Sequence, residues 1–387
     1  MSATATQQYR EFDRDSVQVF AAPFVGGTAR SAEEIGDGNL NRVFRVWGDG
    51  LSVVVKQAVP YLKIVGSSWP LTRHRARIES DACVEHRKLV PGFVPDVLHF
   101  DEDLSAIVFE DLRGYSTWRD LLVARTATPG VAERAAAYSA GVLLGTSHLT
   151  LDSRARKEMR QRFAYSELCL VTEDLVFTAP YTDSPSNRFD EEIADVARAL
   201  RCDRSLRTAA AELRFAFKTR DEALVHGDLH TGSVLVGPHD AKVIDLEFAF
   251  FGPFGFDPGL LLANLALSRI AHEASGNDRY AAVVDGCAEL FWDTFADECR
   301  RRWRPTEPWY SRFLTSLLAD AARFAGLEMI RRIVGLAHVA DIDGLPLPTR
   351  TAAQRNALAG GRALVTGPPC ANFEELWLRA TQEETFV

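Results

Sequence analysis

The chain has 387 residues and a formal net charge of −9. That length allows one large or two moderate domains with real cores, and the acidic balance argues against nucleic acid as the main partner, because phosphate backbones select basic stripes. Hydrophobic content of 47% with 25% charged residues is ordinary for a soluble globular protein. The first residues, MSATATQQYREFD, show neither a basic nor an apolar stretch of the kind that marks a secretory signal. The most apolar window, 260–267, is interrupted by Asn264 and is too short to span a bilayer. Six scattered cysteines without a C-x-x-C pair fit reduced, mostly structural thiols and a cytoplasmic protein.

Residues 34–58 predict short strands with tight turns. Residues 35–41 form a small-residue turn, and 47–50 carry an Asp-Gly hairpin signal. A Gly/Asn turn such as the one holding Asn39 can close over phosphates, because no large side chains screen its N–H groups. Most such turns merely join strands. Lys56 ends the Val-rich run 52–56. It reads either as an exposed edge-strand lysine that keeps the sheet soluble or as a cation reserved for phosphate oxygens. Its place 17 residues after Asn39 favours the second reading.

Residues 67–71, with Trp69, predict a loop, and 75–79 a helix in which Glu79 is the preferred partner for Lys56 and Glu85 the fallback. Residues 107–112 predict a strand leading out of the first lobe, with Asp111 capping the next element. From Thr117 onward, helix-forming windows cover 132–149, 191–201, 206–220, 259–273, 279–302 and 309–340.

The most informative stretch is 223–250. An apolar run ends in His226-Gly227-Asp228. The strand-like 233–236, a Gly-Pro turn and a second apolar run then lead to Asp245-Leu246-Glu247. A hairpin here would let Asp228 meet Asp245 and Glu247, although 17 positions separate the two aspartates. Gathered carboxylates repel unless a hard cation such as Mg²⁺ neutralises them. Phosphoryl transfer needs one carboxylate to receive the acceptor's proton and another, beyond the next hairpin, to hold the metal on the ATP phosphates. Asp228 suits the first role and Asp245 the second. His226 and His230 do not read as a zinc pair, because Gly227 disfavours the required helix and no glutamate base lies between them. His226 is expected in the core and His230 beside the substrate. The alternative of a metallophosphoesterase, suggested by Gly227-Asp228-Leu229-His230, lacks a G-N-H ligand motif, since Asp278 follows Gly276-Asn277.

These motifs resemble the small-molecule branch of the protein-kinase-like fold, the aminoglycoside-phosphotransferase group, which carries H-G-D where protein kinases carry H-R-D. HGDLHTGS, the D-x-E pair and EFAFFGPFGFDPG are similar to the 5-methylthioribose kinases of that group. The resemblance implies an α+β, bilobal fold: a small antiparallel-sheet lobe binding ATP (1–113) and a larger, mostly helical catalytic and substrate lobe (114–387). It further implies ATP and Mg²⁺ as cofactors and a small sugar as acceptor, with neither nucleic acid nor membrane as partner and a homodimeric assembly. On this reading Asp228 is the catalytic residue. Asn39, Lys56, Glu79, Glu110, Asp111, Leu112, Asp245, Leu246 and Glu247 face the nucleotide, with Asp245 and Glu247 on the metal. Asp228, His230, Arg331 and Arg332 face the sugar. Residue 233, usually Asn and a metal ligand in the superfamily, is Ser here, and Glu247 supplies the missing oxygen. Leu246 stands where the group is expected to carry Pro. Asp257 is expected to prop the catalytic loop or to serve as a plain N-cap. Arg331 and Arg332 lie in an apolar helix, where unpaired cations are costly; the expected partners are Glu328 or Asp320, or else the substrate. Another deoxy-pentose, an aminoglycoside or choline remains an alternative acceptor.

Overall fold

The computed structural model describes residues 9–35, 40–63, 66–164 and 167–382. Asn39 lies outside the described residues. The chain forms two compact units: Met1–Tyr115 with Lys242–Ala249, and Ser116–Ala241 with Phe250–Val387.

The first unit is built on a five-stranded antiparallel sheet. Its strands are β1 (Ser31–Glu34), β2 (Asn41–Trp47), β3 (Ser52–Ala58), β6 (Val97–Asp101) and β7 (Ala106–Glu110), ordered β1-β2-β3-β7-β6. Gly50, with φ of +81°, makes the β2–β3 turn. Phe44, Val46, Val53, Val55 and Val108 bury one face against Phe12 and Val17, the latter on helix α1 (Arg14–Ala21). Gln57 ties the chain before α1 to the sheet: its amide oxygen accepts from Phe12 N at 2.7 Å, and its nitrogen donates to Arg10 O at 2.8 Å. Residues 67–71 were expected as a loop; most of them instead belong to strand β5 (Gly66–Pro70), paired with β4 (Tyr61–Leu62) so that Tyr61 faces Pro70. Helix α2 (Arg75–Leu89) packs against the turn at Leu246–Phe248.

The second unit is mainly helical. It holds α3 (Trp118–Val123), α4 (Val131–Gly145), α5 (Ser153–Arg162), α6 (Glu167–Leu175), α7 (Ala194–Cys202), α8 (Arg204–Thr219), α9 (Phe256–Ala274), α10 (Asp278–Trp303), α11 (Glu307–Val334), α12 (Ala340–Asp343), α13 (Leu347–Thr366) and α14 (Phe373–Thr381). Strand β8 (Ser116–Thr117) pairs with β10 (Val234–Val236), and β9 (Ala223–Val225) with β12 (Phe250–Gly252); β11 is Ala241–Val243, whose last two residues belong to the first unit. The helix expected over 309–340 stops at Val334. Gly335 leaves in extended geometry, and a Cβ there would collide with the Arg331 carbonyl. Helices α9 and α11 approach closely because residue 259 is glycine: a Cβ would sit 2.6 Å from Ala321 O. That approach sets α11, with its two arginines, against the helix that carries Asp257. No helix among the described residues is long and apolar enough to cross a membrane, and all six cysteines are free thiols.

Candidate active site

In the first unit, Lys56 is the centre of a charge cluster. Its Nζ lies 2.8 Å from Glu79 Oε1, 2.7 Å from Asp245 Oδ1 and 3.8 Å from Glu247 Oε1. β3 presents the lysine, α2 the Glu79 carboxylate, and the turn after β11 the other two. Burial alone would discharge the ammonium, but the three carboxylates outweigh it and hold the Lys56 pKa well above its usual value. Burial pushes the Glu79 carboxyl up to about 7 against the pull of Lys56. Glu85, the alternative partner, pairs with Lys88 at 2.9 Å.

Asp245 stands in the left-handed region, with φ of +65°. A non-glycine residue held there stores about 1–3 kcal/mol of strain. Its carboxylate reaches Lys56 while the side chain stays 50% exposed. Glu247 is the opposite case: its carboxylate is nearly buried. Oε1 accepts from Asn41 Nδ2 at 2.9 Å, and Oε2 lies 3.1 Å from Arg75 Nε yet has no hydrogen bond. Arg75 Nε donates instead to Asn41 Oδ1 at 3.1 Å. Asn41 and Arg75 were invisible as site residues in the sequence, because nothing in their spacing links them to a carboxylate some 200 positions away. An exposed carboxylate and a buried carboxylate oxygen that accepts no hydrogen bond, though ion-paired with Arg75, are hard oxygen donors of the kind Mg²⁺ takes.

One expectation needs correction. Asp111 caps no later element: its carboxylate accepts from Arg45 Nε at 2.9 Å and Ser52 Oγ at 2.7 Å, and Thr117 caps α3. Leu246 is fully buried in the turn after β11. Glu110 donates its N–H to Asp96 O and accepts at its carboxylate from Lys242 at 2.5 Å; Leu112 O accepts from Tyr115 N.

In the second unit, Asp228 lies beyond β9 on a tight loop. Its Oδ1 accepts from Arg331 Nη2 at 3.0 Å and from Arg332 Nη2 at 3.5 Å, and its Oδ2 lies 3.5 Å from His230 Nε2. Both arginines also clasp Glu328: Arg331 at 2.5 and 3.0 Å, Arg332 at 2.7 Å. The expected salt bridge within the helix forms for both residues, through Glu328, and both guanidiniums also reach Asp228. Asp320 is not their partner and binds Arg220. Burial opposes ionisation of Asp228, but His230 and the two guanidiniums outweigh it and hold the carboxyl well below the usual carboxylate range. Burial also lowers the His230 pKa to about 4, so at neutral pH its imidazole is uncharged and the arginines carry the effect.

The loop itself is pinned from below. Asp257, in the first turn of α9, accepts from His226 N at 2.6 Å and Gly227 N at 3.0 Å. The N-cap position is Gly255, so Asp257 is a prop and not a cap. His226 is buried, and its Nδ1 accepts from Asp228 N at 3.2 Å. Ser233 closes the loop: Oγ accepts from His230 N at 2.9 Å and donates to His230 O at 2.8 Å.

The sequence matches the model of the phosphotransferase enzyme family over residues 31–283. A methylthioribose kinase of Geobacillus sp. (strain WCH70) is 41% identical over 357 residues, covering 90% of this chain and 89% of the relative. One from Pectobacterium atrosepticum is 38% identical over 398 residues, covering 97% and 98%. Among solved structures, a choline/ethanolamine kinase family protein from Mesorhizobium loti is 16% identical with a TM-score of 0.47, covering 95% of this chain and 98% of that one; so loose a likeness carries no weight. The chain has a kinase-like fold and belongs to the phosphotransferase enzyme family, among its methylthioribose kinases.

Proposed function

We propose that the chain transfers the γ-phosphoryl group of ATP to the 1-hydroxyl of S-methyl-5-thioribose, giving S-methyl-5-thioribose 1-phosphate for methionine salvage. The observation that carries the acceptor chemistry is the Asp228 carboxylate, held ionised between Arg331 and Arg332. So weak a base does not strip a free hydroxyl. It orients the hydroxyl and receives the proton late, when the new O–P bond has already acidified it, which suits a loose transition state. The two guanidiniums, balanced by Glu328 and Asp228, are placed to bind sugar hydroxyls or steady charge on the transferring group. His230, neutral at physiological pH, offers a hydrogen bond without adding charge.

On the nucleotide side, Lys56 is held ionised and aimed by Glu79, ready for phosphate oxygens. Asp245, assisted by Glu247, would hold Mg²⁺, which neutralises charge on the phosphates when bound. The Glu110 N–H and the Leu112 carbonyl are already engaged. An adenine edge would therefore meet the Glu110 carbonyl and the Leu112 N–H.

The test is a panel of S-methyl-5-thioribose, ribose, a deoxy-pentose, choline and an aminoglycoside with Mg-ATP, read by ADP release. Methylthioribose is expected to lead in kcat/KM by at least about a hundredfold. A protein that leaves methylthioribose untouched while phosphorylating another pentose overturns the proposal.

A further inference from the structure

Behind the acceptor-side carboxylate runs a buried polar chain that the transfer chemistry does not use. It begins at Arg119 on α3, whose side chain is largely buried. Nη2 donates to Asn264 Oδ1 at 2.6 Å, and Nε lies 3.2 Å from Asp341 Oδ2. Asn264 passes the connection on: its Nδ2 donates to Leu260 O at 2.9 Å and to Glu328 Oε1 at 3.3 Å. Glu328, fully buried, is the carboxylate that both Arg331 and Arg332 clasp. Arg119 also reaches the catalytic loop directly. A Cβ on Gly232 would stand 2.8 Å from Arg119 Nη1 and 2.9 Å from His230 Cε1, so the guanidinium packs directly against the loop there and a side chain at 232 would displace it.

Such a chain is a poor source of stability. Burial drives the Arg119 pKa down and the Asp341 pKa up, so each charge is held at a cost that its partner only partly offsets. Well-packed apolar residues would hold α3, α9 and α12 together at least as well. What apolar residues cannot do is fix the direction of Glu328, and Glu328 fixes both arginines.

We infer that Arg119 is a positioning residue for phosphoryl acceptance: through Asn264 and Glu328 it sets the Arg331–Arg332 pair, and through Gly232 it sets the loop bearing Asp228. The inference rests on the reading of Asp228 as the proton acceptor. Misplacing the pair by a fraction of an ångström weakens the reaction geometry without touching the nucleotide, whose contacts lie on Lys56 and Asp245.

The experiment measures kcat and both KM values, per folded molecule by near-UV circular dichroism, for the parent, Asp228→Asn, Arg119→Gln, Arg119→Lys, Asn264→Leu and the double variant Arg119→Gln/Asn264→Leu. Asn264→Leu keeps the number and branching of the side-chain heavy atoms while breaking the chain of hydrogen bonds. Arg119→Gln and Asn264→Leu are each expected to lower kcat about tenfold to a hundredfold, with KM for ATP within about twofold of the parent. The double variant should be no worse than its worse single, because both cut one chain, and Arg119→Lys should recover part of the loss. Unchanged kcat per folded molecule in Asn264→Leu overturns the inference, as do losses that multiply in the double variant or a matching rise in KM for ATP. If Arg119→Gln fails to fold, Arg119→Lys and Asn264→Leu decide, and parental kcat in both is fatal. Parental activity in Asp228→Asn would instead remove the underlying reading. An inactive Asp228→Asn beside fully active Arg119 and Asn264 variants removes this inference alone.

Discussion

The Asp257 carboxylate bonds both backbone N–H groups that precede the catalytic loop's aspartate, His226 N at 2.6 Å and Gly227 N at 3.0 Å. Gly227 adopts φ of +86°, a conformation that a side chain would strain. A buried anion therefore fixes a backbone that glycine alone would leave loose, and Asp228 inherits that rigidity.

Asp257→Asn keeps the shape but turns one acceptor oxygen into a donor facing an N–H. We expect a loss of about 1–3 kcal/mol in urea unfolding and a kcat lower by about tenfold or more, with KM for ATP nearly unchanged. A variant with parental kcat would show that the loop holds its geometry without the prop.

Lys56→Met removes the cation at the centre of Glu79, Asp245 and Glu247. Breaking a buried ion pair costs about 3–5 kcal/mol, and Glu79 carries most of that cost because it is almost fully buried. Its carboxyl is already raised to about 7, so the variant can relieve the strain by taking up a proton. The stability deficit should therefore be largest near pH 8 and shrink as pH falls through 7 toward 6, as followed by urea unfolding at each pH. KM for ATP should rise at the same time. A deficit independent of pH would remove Glu79 as its source.

His230 offers a pH test with the opposite sense. Its folded pKa is lowered from 6.5 to about 4, so between those values the unfolded chain binds more protons than the folded one. Its contribution is complete above about pH 6.5 and is lost as pH falls toward 4, at most about 3 kcal/mol. His230→Asn should flatten that part of the stability profile between pH 7 and 5. An unchanged slope would place the titration elsewhere.

The sheet unit was legible because its strands advertise themselves: Val-rich runs broken by Gly and Asp-Gly turns. Lys56, Glu79, Asp245 and Asp228 were legible because motif spacing fixes their order along the chain. Helix α5 was missed because SRARKEMRQR has almost no apolar face to set a period, and its N-cap Asp152 was the one available signal. Helix α13 contains Gly360 and Gly361, which read as breakers; they are there because a Cβ on Gly360 would collide with the Ala380 carbonyl and one on Gly361 would meet Gly326 O. Arg75, Arg119 and Asn264 were missed for another reason. Each acts through a partner at least 34 positions away, and no local pattern encodes such a contact. The loop expected at 67–71 became for the most part a strand because β4 supplies it with a partner.

The most direct measurement is single-turnover formation of methylthioribose phosphate from Mg-ATP by the parent and by Asp228→Asn. An amide at that position keeps the size of the carboxylate but cannot receive the acceptor's proton, so the rate of transfer should fall by at least about a thousandfold while KM for ATP changes less than about threefold. Transfer by Asp228→Asn at a rate within about tenfold of the parent would contradict the assignment of that carboxylate and the mechanism built on it.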